Sequence, residues 1–147
     1  MSDEKNIYAV SACLLGENCK YNGSNNKNDK VIEFLRGKEY ITICPEMSGG
    51  LPCPRDPSEI VITGGIRKVM SKTGADVTEN FRLGAEYELN RAMKKGCTHA
   101  ILKSRSPSCG IGRVYDGTFS GTVTDGHGIS AEMFINSGIE CVTEEDL

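Results

Sequence analysis

Four patterns are missing from this 147-residue chain, and each absence closes a class of protein. No apolar run approaches the ~20 residues that a membrane-spanning helix needs. No block of lysine and arginine occurs, and 17 basic residues against 20 acidic ones leave a net charge of −3. Neither nucleic acid nor a membrane surface is therefore expected as a partner. Met47-Ser-Gly-Gly50 lacks the spacing of a phosphate-binding loop, and no Gly-x-Gly-x-x-Gly is present, so nucleotide cofactors are not indicated. Gly49-Gly50 can still bring backbone N–H groups close to a small anion. Finally, no Cys-x-x-Cys occurs, which removes zinc ribbons and thioredoxin-type redox sites.

Seven cysteines are present nonetheless, an odd number that cannot pair completely within one chain. Lys5 and the apolar run from Ile7 to Leu15 imitate a secretory signal. Asp3 and Glu4 spoil its basic end, and Cys13 interrupts its apolar stretch, so a buried strand is the better reading. The expected compartment is a reducing cytoplasm, where clustered cysteines point to metal or redox chemistry rather than disulfides.

Residues 1–147 read as one α/β domain with a mainly parallel sheet flanked by helices and one or two small β-hairpins. Ile7 to Ala12, Tyr40 to Ile43, Thr98 to Leu102 and Ile139 to Val142 have strand character. A short helix follows a cap at Asn28 or Asp29 and carries Val31, Ile32, Phe34 and Leu35. Glu46 to Pro57, with three prolines and two glycines, reads as loop. Glu59 to Thr63 and Ile66 to Met70 flank Gly64-Gly65, a two-residue hairpin signal. The clearest helix is predicted to be capped by Asp76 with Glu79 in a capping box. It presents Val77, Phe81, Ala85, Leu89 and Ala92 on one face and ends at Gly96. A small hairpin is expected around Asp116-Gly117. A last helix is expected from a Ser130 cap, with Ile129 and Phe134 as its hydrophobic staple.

In open α/β sheets, sites gather beyond the carboxyl ends of the strands. Cys13, Cys44 and Cys109 each lie at or after such an end, so three loops can present thiols to one point. Taken singly, each is an ordinary small buried residue; their shared position is what suggests metal. Sulfur donors favour soft metals and iron–sulfur clusters, and three thiolates suit a [4Fe–4S] cluster with one open iron. Cys19 stands open between a fourth ligand, a neighbour of the cluster and a packed thiol. Cys53 reads as a loop thiol, Cys97 and Cys141 as core residues. Glu46 is a solvated loop acid, a partner for a nearby helix N-terminus or a group presented beside the thiols, and Ser106 and Ser108 either stabilise their turn or face the same site.

The segments Ser11-Ala-Cys-Leu-Leu-Gly16, Cys44-Pro-Glu46, Gly49-Gly-Leu-Pro52 and Pro54-Arg55 form a set with Gly74-Ala-Asp-Val-Thr78, Ser106-Pro-Ser-Cys-Gly110 and Tyr115-Asp-Gly-Thr-Phe119. In this order they resemble the thiouracil desulfidase family, over nearly the whole chain from Val10 to Glu145. The resemblance implies a [4Fe–4S] cluster on Cys13, Cys44 and Cys109, with Glu46 and Ser106 as catalytic groups. It implies a thiolated pyrimidine, base or nucleotide, as the small-molecule substrate, and a reaction without net electron transfer. Arg55, Lys103 and Arg105 are the candidates for a substrate phosphate. The alternative is a non-catalytic iron–sulfur or metal-binding redox sensor, which needs the cysteines but neither Glu46 nor Ser106. A homodimer remains open.

Overall fold

A computed structural model describes residues 6–147. Asp3, Glu4 and Lys5, on which the reading of the chain start turns, lie outside the described residues. Strands β1 (Ile7–Ser11), β2 (Glu39–Ile43), β5 (His99–Leu102) and β8 (Glu140–Thr143) form a four-stranded sheet in the order β2-β1-β5-β8. Every pairing within it is parallel. The expected α/β architecture is thus observed. β1 lies between β2 and β5, so the chain leaves it first toward one edge and later toward the other. That reversal opens a crevice at the carboxyl ends of β2, β1 and β5.

Alternation along the strands divides the core between the two faces of the sheet. Tyr8, Val10 and Ile101 pack with Leu14, Val31 and Leu35 beneath α1 (Asp29–Phe34). Ala9, Ala100 and Leu102 pack with Ala92, Ala131 and Phe134 from α3 (Thr78–Lys95) and α4 (Ile129–Asn136). The hairpin β3 (Ser58–Thr63) and β4 (Ile66–Ser71) turns through Gly64 and Gly65, both at positive φ, as a tight right-twisted hairpin requires. A second hairpin, β6 (Arg113–Tyr115) and β7 (Val123–Asp125), encloses residues 116–122.

Three local expectations are corrected. Pro45–Ser48 is a helical turn, α2, inside the segment expected to be loop. Proline suits the first helical position, where its missing N–H costs nothing. α3 begins at Thr78 with Val77 at its cap, and the Asp76 carboxylate accepts instead from the Thr78 N–H and hydroxyl. α4 is capped by Gly128, and the expected cap Ser130 is fully buried within the helix, its hydroxyl 2.9 Å from that of Ser108. Ile129, expected outside the helix as a staple, is its first residue. The carbonyls of Pro107 and Ser108 accept the first amides of α4, so the preceding loop does the work of a cap.

α2 rests against α3 at backbone distance. A Cβ on Gly84 would lie 1.8 Å from the Pro45 carbonyl oxygen, and one on Gly49 would lie 1.9 Å from that of Asn80. No side-chain rotation relieves such a contact. Gly84→Ala gains helix propensity but must push α2 off α3, and is expected to destabilise the chain by about 2 kcal/mol. Urea unfolding beside the exposed-site control Leu83→Ala checks this, and an unchanged midpoint would show that α2 is free to move.

Candidate active site

The three cysteines singled out at strand ends do meet. Cys13 follows β1 in a 3₁₀ turn, Ala12–Leu15; Cys44 directly follows β2; Cys109 closes the loop after β5. All three line one pocket of about 530 Å³, together with Glu46, Ser106 and Arg55. The Glu46 charge disfavours ionisation of all three thiols, adding to burial at Cys13 and Cys109 and opposing the net lowering of Cys44.

The loops of Cys44 and Cys109, and the 116–122 loop at the same pocket, are locked from behind. The buried acids among the described residues are Glu59, Glu88 and Glu144, and every one accepts backbone N–H groups from a segment at the pocket. Glu88 on α3 accepts from the Cys44 N–H at 2.9 Å and from the Ser48 hydroxyl at 2.8 Å. Glu144 accepts from the N–H and hydroxyl of Ser104 at 2.8 and 2.7 Å, holding the loop that leads to Cys109. Glu59 on β3 accepts from Gly117 and Phe119 at 2.9 and 3.1 Å. Hydrogen bonds to a charged acceptor are worth roughly twice neutral ones, and breaking one strands a buried charge. Asn80, Gly84 and Glu88, four residues apart on one stripe of α3, form the seat of the Cys44–Gly49 turn; Asn80 donates to the Gly49 carbonyl at 2.9 Å.

The thiols differ in electrostatics. Burial pushes Cys109 up most strongly, with the Glu46 charge adding to it. Burial also raises Cys13, partly offset by the amide of Asn26, which donates to its sulfur at 3.4 Å. Cys44 is lowered because the Cys19 thiol donates a hydrogen bond to it, and Cys19 is raised for the same reason. Cys19 is therefore a neighbour of Cys44 in the cluster-free chain. Glu46 opens into the pocket, yet burial pushes its carboxyl above the ordinary range, with Arg55 opposing.

Ser106 uses its hydroxyl oxygen to accept from the Ser108 and Cys109 N–H groups, at 3.1 and 3.0 Å. Its O–H proton stays free to donate. Arg55 ties down the opposite wall through the carbonyls of Pro52 and Cys19. Lys103 lines the pocket with its ammonium held by Ser104 and Glu144. Arg105 departs from expectation. It is paired with Glu145 at 2.8 Å, sits at a φ of +64°, and is absent from the pocket wall. Glu88, Glu59 and Asn26 escaped sequence reasoning. Acids on helix and strand faces read as solvated, and no local pattern shows which loop an acid will meet.

Parallel strands, a crevice at the chain reversal and three convergent thiols beside the half-buried Glu46 carboxyl define an α/β protein with a sulfur-lined site. The sequence model of the 2-thiouracil desulfurase family matches residues 8–146, and the chain belongs to that family. It is 38% identical over 144 residues to the uncharacterized protein YbbK of Bacillus subtilis strain 168, covering 94% of this chain and 95% of YbbK. Among solved structures it is similar to the [4Fe-4S]-dependent thiouracil desulfidase TudS (DUF523Vcz), at 37% identity and a TM-score of 0.84. That match covers 98% of this chain and 93% of TudS.

The inequality among thiols is testable in cluster-free protein. Thiolate is the reactive form. Iodoacetamide near neutral pH should alkylate Cys44 well before Cys141, whose thiol burial pushes up to about 11. Cys19→Ala should erase the advantage of Cys44. Peptide mass spectrometry over a time course reads both rates, and equal rates in the parent chain would contradict the hydrogen bond.

Proposed function

We propose that this chain is a [4Fe–4S]-dependent desulfidase that converts thiolated uracil, as base or nucleotide, to the uracil compound and sulfide by hydrolysis. The observation that carries the reading is the Glu46 carboxyl in the same pocket as Cys13, Cys44 and Cys109, in a chain matched by the 2-thiouracil desulfurase family over residues 8–146. The fold of TudS, a [4Fe-4S]-dependent thiouracil desulfidase, supports it.

The donors fit such a cluster. They are all sulfur, they come from three separate loops, and they face one pocket. Among the described residues, no three His, Cys, Asp or Glu side chains are grouped to hold a single ion. A four-iron cluster is larger and takes its thiolates at separate corners, which suits loops that surround a pocket. Cys13, Cys44 and Cys109 would hold it, and when bound it supplies a Lewis-acidic iron for the substrate sulfur.

The remaining steps belong to the protein. Glu46 takes a proton from the water that attacks the thiocarbonyl carbon. Its raised carboxyl is a stronger base than an ordinary glutamate, and partial desolvation keeps it from being quenched by solvent. The free O–H of Ser106 donates toward the departing sulfur. Carbon keeps its oxidation state as C=S becomes C=O, so no electron donor is needed. For a nucleotide, Arg55 has unspent donors to turn toward phosphate, whereas Lys103 is committed to Ser104 and Glu144 and contributes its charge. A redox sensor would use the cysteines but has no use for Glu46 in the pocket.

Anaerobically reconstituted protein should release sulfide from thiouracil or its nucleotide. Serine in place of Cys13, Cys44 or Cys109 should abolish iron loading. Glu46→Gln should keep iron content and colour yet fall below about 1% of the parent rate, as loss of a general base costs 10²–10⁴-fold. Because burial raises Glu46, and the base must be deprotonated, the acid limb of the parent's pH–rate profile should lie above the ordinary glutamate value of about 4.3. Near-parent turnover by Glu46→Gln would remove the carboxylate from the reaction.

A further inference from the structure

We propose that Phe119 is the aromatic wall on which the flat base of the substrate stacks, and that Glu59 is the positioning residue that holds it there. This inference rests on the functional reading above, since it names the contact that reading leaves unassigned. Cys13, Cys44, Cys109, Glu46 and Ser106 can grip the edges of a thiolated pyrimidine, and the Arg55 guanidinium is tied to the carbonyls of Pro52 and Cys19. An aromatic side chain on the pocket wall is the best surface for its ring face.

Four such rings line the pocket: Tyr21, Phe81, Tyr115 and Phe119. Phe81 is 2% exposed and belongs to the core under the first hairpin. Tyr115 is engaged with Arg105. Tyr21 stands 42% exposed, with the Lys20 ammonium 5.8 Å from its ring centre. Phe119 is half-buried and uncommitted to the core clusters.

The backbone around it is built at some cost. Phe119 sits at a φ of +57°, a left-handed conformation that a phenylalanine rarely adopts. Such geometry persists where the surroundings enforce it, and it concentrates at binding sites. Here the enforcement is visible. The buried Glu59 carboxylate accepts from the N–H groups of both Gly117 and Phe119. A Cβ on Gly117 would lie 2.7 Å from the Ile60 carbonyl oxygen, so the loop is pressed onto β3. The Asp116 carboxylate accepts from the Thr118 N–H and hydroxyl, and hydroxyl contacts run on through Ser120 to Thr122. A loop with this much internal bonding and a strained aromatic residue at its tip is suited to presenting a ring at a fixed place.

The test uses cluster-loaded protein and two readouts: turnover of thiouracil, and calorimetric binding of uracil, which cannot react. Asparagine tolerates the left-handed conformation, so Phe119→Asn removes the ring without adding strain, and its melting temperature should move by less than about 3 °C. Its KM and its dissociation constant for uracil should both rise about tenfold, the scale of one lost base–aromatic stack, with kcat changed far less. Phe119→Trp should keep tight binding. Glu59→Gln should raise KM by a smaller factor, and the double variant should be no weaker than Phe119→Asn alone, because both changes remove the same contact. Unchanged uracil binding in Phe119→Asn, equal weakening in Phe119→Trp, or no uracil binding by the parent would overturn the inference. A parent that binds uracil through Phe119 but releases no sulfide would instead sink the functional reading and leave this one standing.

Discussion

A carboxylate can be buried only if its oxygens are hydrogen-bonded, and the pocket of this protein depends on three that are. Glu88 fixes the Cys44 turn, Glu144 the loop to Cys109, and Glu59 the loop that carries Phe119. Each reaches across from a different element, α3, the segment after β8, and β3. Loops are ordinarily the mobile part of an α/β protein. Here their amides are paired with buried charge, so loosening a loop exposes an unsatisfied anion to a poor solvent. Close glycine contacts complete the arrangement, since Gly84 and Gly128 let α3 and α4 touch the backbone of the cysteine loops.

This rigidity bears on the chemistry of the thiols. A buried thiol resists ionisation, as Cys109 and Cys13 show, and thiolate ligation must overcome that resistance. Convergence from three stiff loops lessens the ordering that ligand binding would otherwise demand. Glu46 obeys the same logic with opposite benefit. Desolvation makes its carboxyl more basic, and the cost is borne by the packing of α2 on α3. Cys19 stands beside this group as a hydrogen-bond donor to Cys44, a role that its position six residues after Cys13 does not reveal.

The parallel sheet, both glycine-turned hairpin ends of β3 and β4, and the long helix were legible because their signals are local: β-branched runs, Gly64-Gly65, and a 3.6-residue apolar repeat ending at Gly96. Asn28, one of the two caps expected for α1, does cap it, but the starts of α3 and α4 were misread. Asp76 and Ser130 are good caps in isolation, but Asp76 spends its carboxylate on Thr78 two residues on, and Ser130 is claimed by Ser108 while the carbonyls of Pro107 and Ser108 take the first amides of α4. α2 was missed since Cys44-Pro-Glu-Met-Ser48 has no apolar period; it is helical because α3 underlies it and Glu88 caps its entry.

Sequence by itself determined which residues could act. Cysteines placed after strands, with Glu46 and Ser106 beside two of them, follow from chain order and the rule that sites gather at strand ends. Tertiary structure decided which of the candidates meet and what holds them. It turned Arg105 away onto Glu145, spent Lys103 on Glu144, and set Cys19 against Cys44. It also recruited Glu59 and Glu88, distant in sequence from everything they hold. The physical reason is range: strand and helix preferences are written within a few residues, whereas a buried charge finds its partners only once the sheet has brought distant segments within hydrogen-bonding reach.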